Sequence, residues 1–442
     1  MTTTTTRADI VRADKAYVWH PYTSMDRYVA EVDPLVIHRA EGSRLYDVDG
    51  TNLLDGNSSW WVATLGHNHP RLVAALTKQA QELCHVSLAG VTHENAALLA
   101  EELVQVAPRG LEKVFYSDNG STAVEAALKL ALKFWHNEGQ FERKRFVAFD
   151  GAFHGETVGA SSLCGVEVFR RPFAGVLLDC IFVPPPERSD PSDDASYARA
   201  FEALERLVRE GKNSLAAVVL EPLVQGAAGM RMYDAAYLKH AREVCDRYDV
   251  LLVIDEVFTG YGRTGGMWAC DAAGISPDLI CLAKGFTGGV LPMSATLTNK
   301  RVFDAFLGAP ERAFHHGHSY CGNPLGAAVA REVLRVFRDE RILERVVPKA
   351  ARIAQAFEGM RSLPGVVRTR SLGMIGALDL SADAGYLGGI GWRVYAEARK
   401  RGAYLRPLGD VVYVAPPVNI SDEDLDTLLN IVEESIRAAV AS

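Results

Sequence analysis

Through the middle of the chain, short unbroken apolar runs alternate with stretches in which apolar residues return every three or four positions. The runs fall at residues 114–116, 146–149, 215–220, 251–254 and 279–282. A strand covered on both faces of a sheet has this unbroken character. The stretches at 197–209 and 236–248 have helical spacing. Strands and helices in alternation predict an α/β fold with a mostly parallel sheet. A helix is predicted just after Tyr116, with Thr122 and Glu125 spaced for a capping box. Val124, Leu128, Ala131, Leu132 and Trp135 form its apolar face. Residues 184–186 are prolines, and the polar residues 189–194 follow, so a surface loop is expected there. Asn323-Pro324 opens another helical stretch, near which the first domain should hand over to a smaller α+β unit, from about residue 335.

Length and composition narrow the classes. At roughly 100–200 residues per domain, 442 residues suit two to four domains, or one large domain with a smaller companion. With 48% hydrophobic and 23% charged residues, the chain is ordinary for a globular protein. A net charge of −8 gives no global attraction to nucleic acid or an anionic membrane, although local groups can still hold a small anion. The seven cysteines contain no CxxC pair, and an odd count favours reduced thiols and a cytoplasmic setting. Met1 to Thr6 carry no apolar run, so no signal peptide is expected. No aliphatic stretch approaches the ~20 residues of a membrane span.

Several motifs invite chemistry. Gly260-Tyr-Gly-Arg-Thr-Gly265 matches a dinucleotide fingerprint, but Asp255-Glu256 interrupt the expected strand-to-glycine junction and no suitable helix follows. His67, His69, His315, His316 and His318 lack companions at familiar metal-ligand spacing, so no metal site is expected. Trp60-Trp61 sit between Asn57-Ser58-Ser59 and Gly66, and adjacent aromatics in a loop suit a pocket wall. The strongest constellation joins Asp255, Lys284 and the segment Asp118 to Thr122. Asp255 and Lys284 each follow a strand, about one βαβ step apart, where parallel sheets place ligands. A lysine there can form a Schiff base. An aspartate one strand away can keep a pyridinium nitrogen protonated, as pyridoxal phosphate requires. The helix opening near Asn119-Gly120-Ser121 offers N–H groups to a phosphate.

With these residues in place, the chain resembles the class III (ω-type) aminotransferases of pyridoxal-phosphate fold type I, from about Trp19 to about Pro417. The shared pieces include Asp118-Asn-Gly-Ser121, Phe153-His-Gly155, Glu221-Pro-Leu-Val-Gln-Gly226, Ile254-Asp-Glu256 and Ala283-Lys-Gly285. Trp19-His-Pro-Tyr-Thr-Ser-Met25 and Asp55-Gly-Asn-Ser-Ser-Trp-Trp61 are narrower. They resemble the branch that aminates 8-amino-7-oxononanoate in biotin synthesis.

The resemblance implies a large cofactor domain over residues 61–334 and a small domain from 335–442, joined by the segment 1–60. It implies Lys284 as the cofactor-bound lysine and proton carrier, and Asp255 on the pyridine nitrogen. Gly120 and Ser121 would hold the phosphate and Phe153 would stack on the ring. Gly317, His318 and Ser319 would enter from the other subunit of a homodimer, with Ser319 on the phosphate. Tyr22, Trp60, Trp61 and Arg406 would line the substrate pocket, with Arg406 on the acceptor's far carboxylate. Phe153 replaces a frequent tyrosine and Ser319 a frequent threonine.

Where relatives use glutamate, an arginine binds its carboxylate and a glutamate masks that arginine. Tyr413 and Ala227 stand at those positions here. The expected donor is therefore S-adenosylmethionine, with lysine second. A general ω-aminotransferase using pyruvate is the alternative enzyme. A catalytically dead homologue acting as a binding protein is the alternative of another class, and the presence of Lys284 argues against it.

Overall fold

The computed structural model describes residues 5–186, 194–380 and 389–441. The start of the polar segment Met1 to Thr6, and residues 189–193 of the expected loop, lie outside them. Strands Leu215–Leu220, Leu251–Asp255 and Leu279–Leu282 are buried at every position. Their alternate side chains feed two separate cores. Val218, Leu220, Leu252 and Ile254 join one cluster, whereas Ala217, Val219, Leu251 and Val253 join the other. The two-residue period of a strand thus explains the unbroken apolar runs, since both faces are covered.

These strands form the centre of a seven-stranded sheet. Its order is Leu111–Ser117, Ser294–Asn299, Leu279–Leu282, Leu251–Asp255, Leu215–Leu220, Arg145–Phe149, Cys180–Val183. Ser294–Asn299 runs antiparallel to both neighbours, and the other pairings are parallel. Helix Gly120–Asn137 packs on this sheet with Val124, Leu128, Ala131 and Trp135 buried.

Its cap differs from the expected one. Asn119 is the N-cap, and its side chain accepts from the Thr122 N–H at 3.0 Å while the Thr122 hydroxyl accepts from the Asn119 N–H at 3.1 Å. The helix starts one turn earlier than Thr122 and Glu125 suggested. Glu125 instead accepts from the Thr157 hydroxyl (2.7 Å) and the Ala160 N–H (3.1 Å), fastening a second helix.

The link from Leu251–Asp255 to Leu279–Leu282 also departs from a βαβ unit. Residues 257–268 form turns, followed by the 3₁₀ helix Ala269–Ala273. Gly262 and Gly265 take φ values of 80° and 108°, so the G-x-G-x-x-G segment is a tight reversal and not a helix opening.

The N-terminal strands Ile37–Glu41, Arg44–Asp47 and Asn52–Asp55 build an antiparallel sheet, and Ala403–Tyr404 extends it in parallel. An antiparallel sheet of Arg368–Leu372, Ile375–Asp379 and Val411–Val414 carries helix Ile342–Met360. The start and the end of the chain therefore fold together beside the large sheet. Helix Pro324–Asp339, capped by Asn323, packs on Pro70–Glu82 and Glu94–Val106. No helix among the described residues is long and apolar enough to cross a membrane.

Candidate active site

Four neighbouring parallel strands end on one side of the large sheet, and each delivers a group to the same place. Arg145–Phe149 leads to Phe153 and His154, Leu215–Leu220 to Glu221, Leu251–Asp255 to its own last residue, and Leu279–Leu282 to Lys284. The cavity there has a volume of about 420 Å³ and is lined by Trp61, Ser121, Phe153, Asp255, Lys284 and Met293 among others. Carboxyl ends of parallel strands leave room for ligands because the chain must turn away from the sheet there.

Asp255 is 4% exposed, and its two oxygens are held separately. One accepts from the Val257 N–H at 3.0 Å, the other pairs with His154 Nδ1 at 2.8 Å. Burial opposes the charged form of His154, but the bond to Asp255 and the charges of Asp255 and Glu221 outweigh it and raise its pKa. Its Nε2 is buried without a partner among the described residues. Glu221 accepts from the Phe153 N–H (3.0 Å) and the Gly226 N–H (2.9 Å), and burial pushes its pKa up to about 7 against the pull of His154.

Lys284 reaches into the cavity with Nζ 4.7 Å from the centre of the Trp61 ring. The protein around it strips water from the amine and pushes its pKa down to about 8, although Asp255 and Glu221 pull the other way. Part of the free amine is therefore neutral near physiological pH, as a nucleophile must be.

At the cavity's other end, Asn119 uses the N–H groups of Thr122 and Ala123 (3.0 Å each). Gly120 and Ser121 keep N–H groups that no earlier helical carbonyl can reach. The chain is packed closely around this turn. A Cβ on Gly120 would stand 2.7 Å from Val257 Cγ1, and one on Gly155 (φ +130°) 2.6 Å from Ser121 Cα. The Ser121 hydroxyl accepts from the Glu156 N–H at 3.0 Å.

Other expected residues lie outside the cavity wall. Tyr22 donates to Glu156 and meets Trp60 edge-on at 5.3 Å. The Arg406 guanidinium lies over the Trp60 ring at 4.7 Å. Tyr413 is 3% exposed and stands behind Trp61, whose indole N–H it accepts at 3.1 Å. Gly317, His318 and Ser319 are exposed, and His318 Nε2 is 3.8 Å from Asp118.

Ser58, Ser59, Trp60 and Trp61 have φ values of 49°, 45°, 66° and 71°. This is a left-handed turn made without glycine, a conformation that costs L-residues roughly 1–2 kcal/mol each.

Sequence reasoning assigned no role to His154, Glu221, Glu156 or Arg263. Arg263 is 1% exposed, donates to the Pro416 carbonyl at 2.6 Å, and has a buried Nη2 without a partner among the described residues. Burial lowers its pKa to about 10. Only Glu221 carried a local signal, a charge directly after the apolar run 215–220; the other three sit among glycines and polar residues. The histidines at 67 and 69 each face a carboxylate. His67 bonds Asp55 at 2.8 Å, His69 approaches Glu340 at 3.4 Å, and no group of three or more His, Cys, Asp or Glu among the described residues could hold an ion.

The class III aminotransferase family model matches residues 26–436. The chain belongs to the class III aminotransferases. Its relatives include the adenosylmethionine-8-amino-7-oxononanoate aminotransferase of Geobacter sulfurreducens, 41% identical over 436 residues, covering 96% of each chain. The enzyme of that name from Synechococcus elongatus is 44% identical over 416 residues, covering 93% of this chain and 96% of that protein. Among solved structures, the Methanocaldococcus jannaschii adenosylmethionine-8-amino-7-oxononanoate aminotransferase superposes with a TM-score of 0.93 at 33% identity, covering 98% of this chain and 99% of that one. An amine transaminase from an uncultivated Pseudomonas species, in its pyridoxal-phosphate-bound form, gives 0.89 at 32% identity, covering 96% and 98%.

The fold is therefore pyridoxal-phosphate fold type I, and the cofactor of this aminotransferase is pyridoxal 5′-phosphate. The residues present fit it. A phosphate suits the free N–H groups at Gly120 and Ser121, in a turn where a Cβ has no space. A pyridine nitrogen suits the buried carboxylate of Asp255.

A pH dependence follows from Lys284. If Lys284 is the lysine that holds the cofactor, cofactor-free protein should take up pyridoxal phosphate through the neutral amine, which forms as pH rises through about 8. The uptake rate, followed by visible absorbance, is expected to climb roughly tenfold per pH unit below that value and to level off above it. A rate that is flat from pH 6 to 9 would contradict the lowered pKa.

Proposed function

We propose that this aminotransferase moves an amino group from S-adenosylmethionine to 8-amino-7-oxononanoate, giving 7,8-diaminononanoate in biotin biosynthesis. The observation that carries this reading is the Arg406 guanidinium laid over Trp60, next to the tryptophan whose ring lies against Lys284. A cation at the far end of an aromatic wall suits an acceptor with a terminal carboxylate and an alkyl stem. The names of the relatives agree with it.

When bound, pyridoxal phosphate supplies an electron sink that acidifies the C–H beside the transferred nitrogen. Lys284 would hold the cofactor and, with its amine free, would carry the proton at that carbon. Asp255 keeps a proton on the pyridine nitrogen. His154 secures the second Asp255 oxygen and favours its ionised form. Gly120 and Ser121 would hold the phosphate, and Phe153 would stack on the ring. Each cycle has two halves that share one site, so ping-pong kinetics follow.

The same reading makes the enzyme a cytoplasmic homodimer. The exposed Gly317, His318 and Ser319 would complete the site of a second copy, and the 83–85% exposed side chains of Tyr17 and Trp19 suit burial against it. It also divides the chain into the segment 1–60, a large domain at 61–334 and a small one at 335–442.

The donor assignment rests on Tyr413 and Ala227. The Tyr413 hydroxyl accepts the Trp61 N–H and supplies no charged fork for an α-carboxylate. The test is a single-turnover assay of the cofactor's conversion by each amine. S-adenosylmethionine should react efficiently and glutamate poorly. Efficient reaction with glutamate and none with S-adenosylmethionine overturns the reading.

Arg406→Ala should lower kcat/KM for 8-amino-7-oxononanoate by at least about 30-fold. Truncating one partner of a desolvated ion pair costs ~2–5 kcal/mol. The donor half-reaction, measured separately, should be spared. Equal damage to both halves would remove Arg406 from the carboxylate.

A further inference from the structure

We infer that the left-handed turn Ser58–Trp61, clamped by Asn57 and Ser58, holds Arg406 and Lys284 at a set separation and so selects the length of the acceptor chain. This rests on the carboxylate-binding role of Arg406 proposed above. Four successive L-residues with φ between 45° and 71° persist only where the surroundings over-determine them.

The ties are numerous here. Asn57 Oδ1 accepts the Arg406 backbone N–H at 2.6 Å, and Asn57 Nδ2 donates to the Tyr413 carbonyl at 3.2 Å. The Ser58 hydroxyl donates to the Ala415 carbonyl at 2.7 Å, and the Ser59 hydroxyl to Asp55 at 2.7 Å. Asp55, 1% exposed, is itself held by His67 at 2.8 Å. The Ala415 N–H donates to the Gly56 carbonyl at 2.7 Å, and a Cβ on Gly56 would stand 2.4 Å from Leu405 Cδ2.

The turn's two tryptophans carry the two ends of the site. Trp60 lies under the Arg406 guanidinium, and the Trp61 ring lies 4.7 Å from Lys284 Nζ. A right-handed or relaxed turn would swing one ring away from its partner. Asn57 ties the same turn to the Arg406 backbone, so the carboxylate anchor and the reacting lysine are referenced to one rigid piece of chain. Asn57 and Ser58 are positioning residues.

The test uses the cofactor-loaded, full-length protein and unbranched alkanoates of about six to about twelve carbons, with binding measured by calorimetry. Wild type should show a sharp optimum, with affinity falling on the order of tenfold per methylene on either side. Asn57→Ala should still bind but flatten the profile to less than about threefold across the series. Ser58→Ala, which removes only the tie to Ala415, should flatten it in part and serves if the first variant fails to fold. The strain is read separately from melting temperatures. Ser59→Gly and Ser59→Ala both lose the hydroxyl, but only glycine relaxes the turn, so the glycine variant should melt several degrees higher. An optimum equally sharp in wild type and Asn57→Ala overturns the inference, as does a wild type without an optimum. If wild type keeps its optimum yet never aminates 8-amino-7-oxononanoate, the proposed function falls and the ruler stands.

Discussion

Lys284→Ala should lower amino transfer by roughly 10⁴-fold or more while the protein stays folded. In the proposed mechanism two losses act together: the covalent hold on the cofactor and the group that moves the substrate proton. A positioned acid–base group alone is commonly worth 10²–10⁴-fold, and loss of the nucleophile adds to it. The fold should survive because Lys284 faces the cavity and its amine is costly to keep charged there. The measurement is single-turnover conversion with S-adenosylmethionine, alongside circular dichroism and a melting curve. Activity within tenfold of wild type, or a protein that no longer folds, would be the wrong outcome.

Asp255→Asn should cost about 10²–10³-fold, the scale seen when one preorganised electrostatic partner is removed from a reacting centre. An amide cannot favour a protonated pyridine nitrogen as a carboxylate does. The effect extends to His154. Its raised pKa depends on Asp255 and Glu221 against a burial that opposes charge, so losing the carboxylate should drive it toward the neutral form. The variant should therefore bind cofactor, checked by visible absorbance, and turn over slowly at every pH. Near-normal turnover with cofactor bound would remove Asp255 from the pyridine nitrogen.

Parts of the molecule were plain in the chain. The strands at 215–220 and 279–282 begin and end where their apolar runs do. A strand covered on both faces favours apolar residues throughout, because a buried polar group is costly without a partner. Ser294–Asn299 was not legible because Ser294, Thr296 and Thr298 interrupt its apolar pattern. The two threonines are tolerated because neighbours satisfy them. Thr296 donates to the Ala123 carbonyl at 2.7 Å and Thr298 to the Asp278 carbonyl at 3.1 Å. No local pattern shows which distant carbonyl will be waiting. The cap of Gly120–Asn137 failed for a related reason, because Glu125 was engaged by Thr157 and Ala160.

The sequence by itself determined the architecture and the two residues at its centre. A repeating strand period, an aspartate closing one strand and a lysine just past another are local facts, and the parallel sheet turns them into neighbours. Only the tertiary structure decided what surrounds them. His154 meets Asp255 across 101 positions of chain, Trp61 meets Tyr413 across 352, and Asn57 meets Arg406 across 349. Contacts of that range depend on how two sheets and the chain's two ends pack together. The lowered pKa of Lys284 and the left-handed turn under Trp60 and Trp61 come from the same packing. One requires water to be displaced from an amine, the other requires a backbone held against its own preference, and both are properties of an assembled interior.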